Sequence, residues 1–317
     1  MDGQRWLAQQ EPQWQRYEQL LQKAEKYSLK NLTGREVQDL SGLYRMVVAD
    51  LARSRARQMG PGVTDQLKQL TLRGYSQIYQ GGRRPAWRSM WEFVGWGFPA
   101  VVQQTWGFTI LATAVFLAGA LLGWWYTWRD PVFMDLIIPQ RIIHMVQEDG
   151  QLWMGSIVGS EPLASSNIMQ NNISVTFSAF AGGLLAGVGT LFILWINGLS
   201  IAAIATLVGQ NKLAYPFWAF VFPHGALELP AIFLAGGAGL LLAKAVVFPG
   251  RYKRLAALKL YGAQAIQLMF GVVPMLIIAG GIEGFFSPSP VVPAPVKYVA
   301  GLSLLWGLLL YLRRQPA

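Results

Sequence analysis

Cysteine is absent from this chain of 317 residues, which excludes disulfides, iron–sulfur clusters and cysteine nucleophiles without fixing the compartment. Histidine is almost as scarce, limited to His144 and His224, so neither an HExxH pair nor a three-histidine metal site can form. A phosphate-binding loop, a dinucleotide fingerprint and a serine nucleophile elbow are all missing. Nothing therefore marks an enzyme, and neither a cofactor nor a resident metal is expected. Charge is thin: 13% of residues are Asp, Glu, Lys or Arg, against 53% hydrophobic. The first hundred residues are polar and helix-forming and lack the short apolar core of a cleavable leader. The first span is thus expected to act as an uncleaved anchor.

What the chain has instead is long apolar blocks. Runs near the roughly 18 residues that a membrane span requires lie at 105–126, 173–196, 226–248, 263–284 and 297–312. They predict an all-α, polytopic membrane helix bundle. The net charge of +10 invites a nucleic-acid reading, but its distribution argues for topology. Basic residues collect at Arg83, Arg84 and Arg88, at Arg251, Lys253, Arg254 and Lys259, and at Arg313 and Arg314. The loop 127–172 is acidic in balance, with Asp130, Asp135, Glu148, Asp149 and Glu161 against Arg129 and Arg141. The positive-inside rule then puts the loop 127–172 outside and both termini in the cytoplasm of a bacterial inner membrane. Anionic headgroups are the expected partners of Arg83, Arg84, Arg88, Arg251, Lys253 and Arg254, and no nucleic acid is expected.

Parity refines this picture. For the basic loop 249–261 and the tail both to stay inside, the chain must cross about six times. The extra crossing is expected as a short or broken element within 197–225, where the apolar run Gly198–Val208 is too brief for a full span. A five-span version, with 173–208 as one helix, leaves a basic segment on the wrong side. The spans are also rich in small residues. Gly119 with Gly123 and Gly183 with Gly187 have GxxxG spacing, and Gly182, Gly236 and Gly237 add to the set. Such faces let helices approach closely in lipid, and predict a compact bundle or a symmetric homodimer.

Outside the bundle, residues 1–82 predict a cytoplasmic three-helix domain. Leu20, Leu21 and Ala24 suit a first helix, and Thr33 with Glu36 has capping-box spacing. Val37, Leu40, Tyr44, Val47, Val48 and Leu51 then follow helical period. Thr64 is the expected cap of a third helix carrying Leu67, Leu70 and Tyr75, with Gly81-Gly82 as its stop. Arg53, Arg55 and Arg57 predict a solvated face. Residues 83–103 are basic and place Trp87, Trp91 and Trp96 where indole rings favour the headgroup region; the bundle follows over 104–317. In the external loop, Val132, Leu136, Ile137, Ile143 and Val146 make an amphipathic stripe that must be buried on lipid, bundle or partner.

The candidate site is Pro223-His224-Gly-Ala-Leu-Glu228-Leu-Pro230. Ionisable groups at membrane depth are costly and usually face a bundle interior or a wet cavity. Pro223 and Pro230 each remove a backbone donor, predicting a kinked or unwound helix. His224 and Glu228, four apart, share a helix face; they can satisfy each other, relay a proton, or ligate a metal with outside help. Asn197 is a further candidate for a central cavity, although Asn197-Gly198 also reads as a turn. Asn171 and Asn172 read as a helix cap, and Glu283 as a group solvated at the outer surface.

Three patches carry a wider resemblance: Leu43-Tyr-Arg-Met-Val-Val-Ala-Asp-Leu-Ala-Arg53, Asn171-Asn-Ile-Ser-Val-Thr-Phe-Ser-Ala-Phe180 and Pro223-His-Gly-Ala-Leu-Glu-Leu-Pro-Ala231. Together they resemble the stage II sporulation protein M family over nearly the whole chain. The resemblance implies a bacterial membrane protein acting through partners. The sporulation member anchors peptidoglycan-degrading proteins, and relatives with a helical N-terminal domain are often encoded beside AAA+ ATPases or RDD-type membrane proteins. On that basis the expected role is a non-enzymatic scaffold that recruits cell-envelope proteins. The alternative is a transporter or channel whose path passes His224 and Glu228. A wet cavity around that pair separates the two.

Overall fold

In the computed structural model, which describes residues 2–27, 29–79, 86–154 and 161–315, Thr33 and Glu36 form a reciprocal capping box. Thr33 Oγ1 accepts from the Glu36 N–H at 3.3 Å, and Glu36 Oε2 accepts from the Thr33 N–H at 2.8 Å. The box opens α2 (Gly34–Ala56), which packs with α1 (Asp2–Tyr27) and α3 (Pro61–Tyr79). A short α4 (Ala86–Glu92) ends this N-terminal unit, Met1–Glu92. Its core joins Trp14, Tyr17 and Leu21 of α1 to Leu40, Val47 and Leu51 of α2 and to Leu67 and Leu70 of α3. Asp50 is buried beneath it, accepting from Trp14 Nε1 at 3.0 Å and pairing with Arg53 at 3.3 Å. Arg55 and Arg57 are exposed. α3 begins three residues before the expected cap. Pro61 suits a first helical turn, where no N–H is needed, and the Thr64 hydroxyl instead donates back to the Gly60 carbonyl. Val37, Val48 and Tyr75 lie at the exposed flanks of the apolar stripes. The stop Gly81-Gly82, Arg83 and Arg84 lie outside the described residues, as does the side chain of Arg88.

The second unit, Phe93–Ala317, is the membrane bundle. Five helical stretches are long and apolar enough to cross a membrane, ending at Arg129, Gln210, Val247, Phe286 and Leu312. They contain α5 (Phe98–Arg129), α9 (Val188–Gln210), α10 (Ala214–Val247), α11 (Arg254–Gly281, continued by a π-helical turn Ile282–Phe286) and α12 (Ala294–Leu312). Between α5 and α9 come the short α6 (Pro131–Ile137) and α7 (Gln140–Gln147), then α8 (Glu161–Ala181). α10 is central, contacting α5, α8, α9, α11 and α12.

The expected span 173–196 is two helices. α8 ends at Ala181, a 3₁₀ turn covers Gly182–Leu184, and Gly187 takes the left-handed conformation at φ 85°. The chain then reverses, so that Gly182 packs on Gly189 and the Thr190 hydroxyl donates to the Ala179 carbonyl at 2.6 Å. α8 continues past Met169, which lies against Gly280 near the other end of α11. Its 21 residues rise about 30 Å, enough to cross. The short or broken crossing expected within 197–225 is not formed, because 188–210 is one unbroken helix; α8 is not among the five stretches long and apolar enough to cross. Asn197-Gly198 is accordingly helical rather than a turn. Gln103 Nε2 donates to the Leu312 and Arg314 carbonyls, and Gln264 donates to Gln104. The starts of α5 and α11 thus share one end of the bundle with the end of α12, as parity requires.

One further expectation changes. α10 runs unbroken through Pro223 and Pro230, so neither proline unwinds it. The stripe within 127–172 lies in part on the bundle, one of its expected alternatives: Ile143 and Val146, together with Met134 and Ile138, pack with Ala203, Leu207, Phe217 and Phe220 of α9 and α10. Val132 and Leu136 stay exposed. Backbone proximity governs the bundle itself. A Cβ on Gly119 would strike the Trp195 carbonyl, one on Gly123 the Leu199 carbonyl, and one on Gly198 the Phe116 carbonyl. These glycines join α5 to α9 within a single chain. Gly183 meets the Gly239 carbonyl in the same way, Gly236 meets Leu194, and Gly237 meets Thr109.

Two tests follow from these contacts. Lys23 donates to Glu36 at 2.6 Å, and with the Thr33 N–H it holds the Glu36 carboxyl at about 2, below its ordinary 4.5. A depressed carboxyl stabilises the fold above its unfolded value and loses that contribution as pH falls towards the folded one. Hydrogen-exchange protection at the start of α2 should therefore decline between pH 4.5 and 2, and Thr33→Ala should lower it at neutral pH by about 1 kcal/mol. In the bundle, Gly123→Leu should cost about 1–3 kcal/mol in a thermal melt through overpacking. Gly281→Ala, with nothing nearby for its Cβ to meet, should stay within about 0.5 kcal/mol of the parent.

Candidate intramembrane site

α10 and α11 are antiparallel neighbours joined by the turn at 248–253, so the first half of α10 faces the last turns of α11. His224 and Glu228 are one helical turn apart on α10 and project to the same side. Opposite them, the α-helix of α11 widens into its π turn at Ile282. Such wide turns change which residues share a face, and they occur often at functional sites. Here the turn presents Glu283 and Ser287 to the same imidazole. Ser287 Oγ lies 3.2 Å from His224 Nδ1, and Glu283 Oε1 lies 3.8 Å from His224 Nε2. One potential ligand atom each from His224, Glu228 and Glu283 falls within 4.8 Å of the other two.

The surroundings are apolar yet not filled. His224 is buried and packs edge-on against Phe220 at 5.5 Å. Glu283 is also buried, and its Oε2 has no hydrogen-bond partner. A cavity of about 320 Å³ opens beside the cluster. His224, Glu228, Glu283, Asn171 and Asn172 supply its polar wall, while Trp153, Ile201, Ile204, Phe217 and Trp218 supply much of the apolar one. Lys297, at the start of α12, donates to the Ser287 carbonyl at 2.6 Å. The cluster thus touches α10, α11 and α12 through a chain of hydrogen bonds.

Neither the inward direction of Glu283 nor the part played by Ser287 follows from the sequence pattern. Glu283 looks solvated because it falls near the end of an apolar run, but the π turn aims it inward. The available signal is the acid itself inside the run 263–284, at the depth that a neighbouring antiparallel helix gives His224. Asn171 and Asn172 are not caps; they sit in the middle of α8, where they line the cavity. Asn197 lies elsewhere: its amide donates to the Ile193 carbonyl at 2.7 Å, within its own helix. Pro223 is buried beside the cluster, and Pro230 is half-buried.

Fold and site together define a polytopic, all-α membrane protein with an ionisable cluster inside its bundle. The family model for Stage II sporulation protein M matches residues 112–288, a segment that contains His224, Glu228, Glu283 and Ser287. The chain belongs to the stage II sporulation protein M family. A second family model, a domain of unknown function (DUF8413), matches residues 4–80 in the N-terminal unit. No curated protein and no solved structure matches the chain.

Removing charge from the cluster tests whether it holds the bundle together. Two carboxyl groups packed side by side in an apolar interior are a liability to stability unless something is shared between them. The double variant Glu228→Gln with Glu283→Gln should melt at or above the parent temperature in detergent. A loss of about 3–5 kcal/mol, the usual result of breaking a buried ion pair, would instead make the carboxylates structural.

Proposed function

We propose that this protein binds a small polar or cationic ligand inside its membrane bundle and mediates its passage or sensing. The observation that carries this reading is the cavity beside His224, Glu228 and Glu283. A protein whose spans served only to hold partners gains nothing from leaving costly ionisable groups beside open space. Membrane-embedded ionisable residues that face a cavity commonly mark ion or substrate paths. α8 supports the same reading, since it places Asn171 and Asn172 on the cavity wall instead of an apolar face. The bacterial inner membrane is the proposed location, with the basic 249–261 segment cytoplasmic and the cavity in the outer half. The N-terminal helical unit is then cytoplasmic and available to a partner such as an AAA+ ATPase.

The cysteine-free background makes the test direct. Single cysteines at Asn172 and Ile204 should react with a membrane-impermeant thiol reagent added from one side. A cysteine at Leu194, fully buried in the core, should not react. In proteoliposomes, Glu283→Gln should reduce cation or proton flux at least about tenfold if one hydrogen-bonded charge, worth about 1.5–3 kcal/mol, is lost from the path. Unreactive cysteines together with no flux would return the bundle to a purely architectural role.

A further inference from the structure

We propose that His224, Glu228 and Glu283 form a binding site for a divalent transition-metal ion of the zinc class. The inference rests on the reading that the cavity admits a ligand, and it names the ligand's chemistry. Three features of the cluster support it. The first is the donor set: one imidazole nitrogen and two carboxylates suit a borderline divalent ion, with a water completing the coordination from the cavity side. The second is geometry. Ligand atoms about 2.0–2.2 Å from a tetrahedral zinc are separated by roughly 3.4 Å, and here one donor atom from each residue lies within 4.8 Å of the others, with His224 Nε2 and Glu283 Oε1 at 3.8 Å. Small rotations of two glutamate side chains close that gap. The third is Glu283 itself, 9% exposed with Oε2 unpartnered, on the carboxyl group that meets the cluster. A buried acceptor without a donor calls for an explanation, and a metal ion supplies one.

Electroneutrality points the same way. Once deprotonated on binding, two carboxylates and a neutral imidazole offer a charge of −2, which a divalent cation cancels without adding net charge to the membrane interior. Lys297 of α12 spends its ammonium on the Ser287 carbonyl instead. Ser287 also provides the support that metal-bound histidines usually have: its hydroxyl oxygen lies 3.2 Å from Nδ1, positioned to accept from that nitrogen and leave Nε2 free for the metal. Sequence spacing already places His224 and Glu228 on one face, and the π turn of α11 brings the third donor.

The test uses the full-length chain in nanodiscs, stripped with chelator and then titrated with Zn²⁺ alone, with bound metal counted by elemental analysis. Co²⁺ loading supplies a visible absorption band that reports coordination. The parent should bind one Zn²⁺ per chain. His224→Ala and Glu283→Gln should abolish binding and the Co²⁺ band, and Ser287→Ala, which keeps every ligand, should weaken affinity about 10–100-fold. Asn197→Ala, remote from the cluster, should bind like the parent and controls for folding. A parent that binds no Zn²⁺, or binds it equally in all variants, overturns the metal site. If the Asn172 cysteine still reacts in that case, the ligand cavity stands and only its proposed occupant falls. Binding of one Zn²⁺ that the ligand variants lose, alongside unreactive cysteines and no flux, supports the metal site while removing the passage reading.

Discussion

Helices surrounded by lipid gain little by burying apolar side chains against one another, because the lipid is as apolar as the partner helix. The bundle depends instead on how closely backbones can approach. At Gly119, Gly123 and Gly198 the α5 and α9 backbones come so near that no Cβ fits between them. At Gly182, Gly183 and Gly239 the same is true where the α8–α9 hairpin meets α10. These contacts fix the positions of four helices before any polar group is considered. They also fix the end of α8, a helix too polar to count among the five apolar stretches, against the hairpin and α10.

Once α8 is held in place, the site follows. Its polar residues would be a burden facing lipid, and near Asn171 and Asn172 they face a cavity that also receives the ionisable groups of α10 and α11. The π turn of α11 completes the arrangement by directing Glu283 and Ser287 towards His224. Polar groups on three separate helices therefore share one small region, and each lowers the cost of burying the others. A single acid in a membrane helix is expensive; a cluster that can share protons, water or a cation is much less so.

The sequence was most legible where a local rule decides the outcome. The Thr33–Glu36 box is a matter of spacing and capping chemistry, and the periodic residues Leu40, Val47 and Leu51 do lie in the N-terminal core. The all-α, multi-span character was legible through the long apolar runs. The helix boundaries were not, because a hydropathy run ignores where the chain turns. The block 173–196 is apolar across a hairpin, and Gly187, with its left-handed φ, was the residue that marked the reversal. Pro223 and Pro230 illustrate a second limit: proline weakens a helix by local rules, yet α10 is packed on all sides by other helices and stays continuous. Glu283 illustrates a third, since its direction depends on a π turn that no simple periodicity announces.

The route by which the cluster touches its neighbours gives it mechanical reach. His224 and Glu228 move with α10, Glu283 and Ser287 with the end of α11, and Lys297 ties the Ser287 carbonyl to α12. α12 is otherwise lightly buried, with most of its apolar surface turned outward. The separation of the cluster's donor atoms is larger than direct coordination or a strong hydrogen bond allows. Small rotations of the two glutamate side chains close that gap, so an occupant would bridge α10 and the π turn with both helices in place. The cluster is for that reason a cross-link between α10 and α11, and its hydrogen-bonded extension through Ser287 ends on α12.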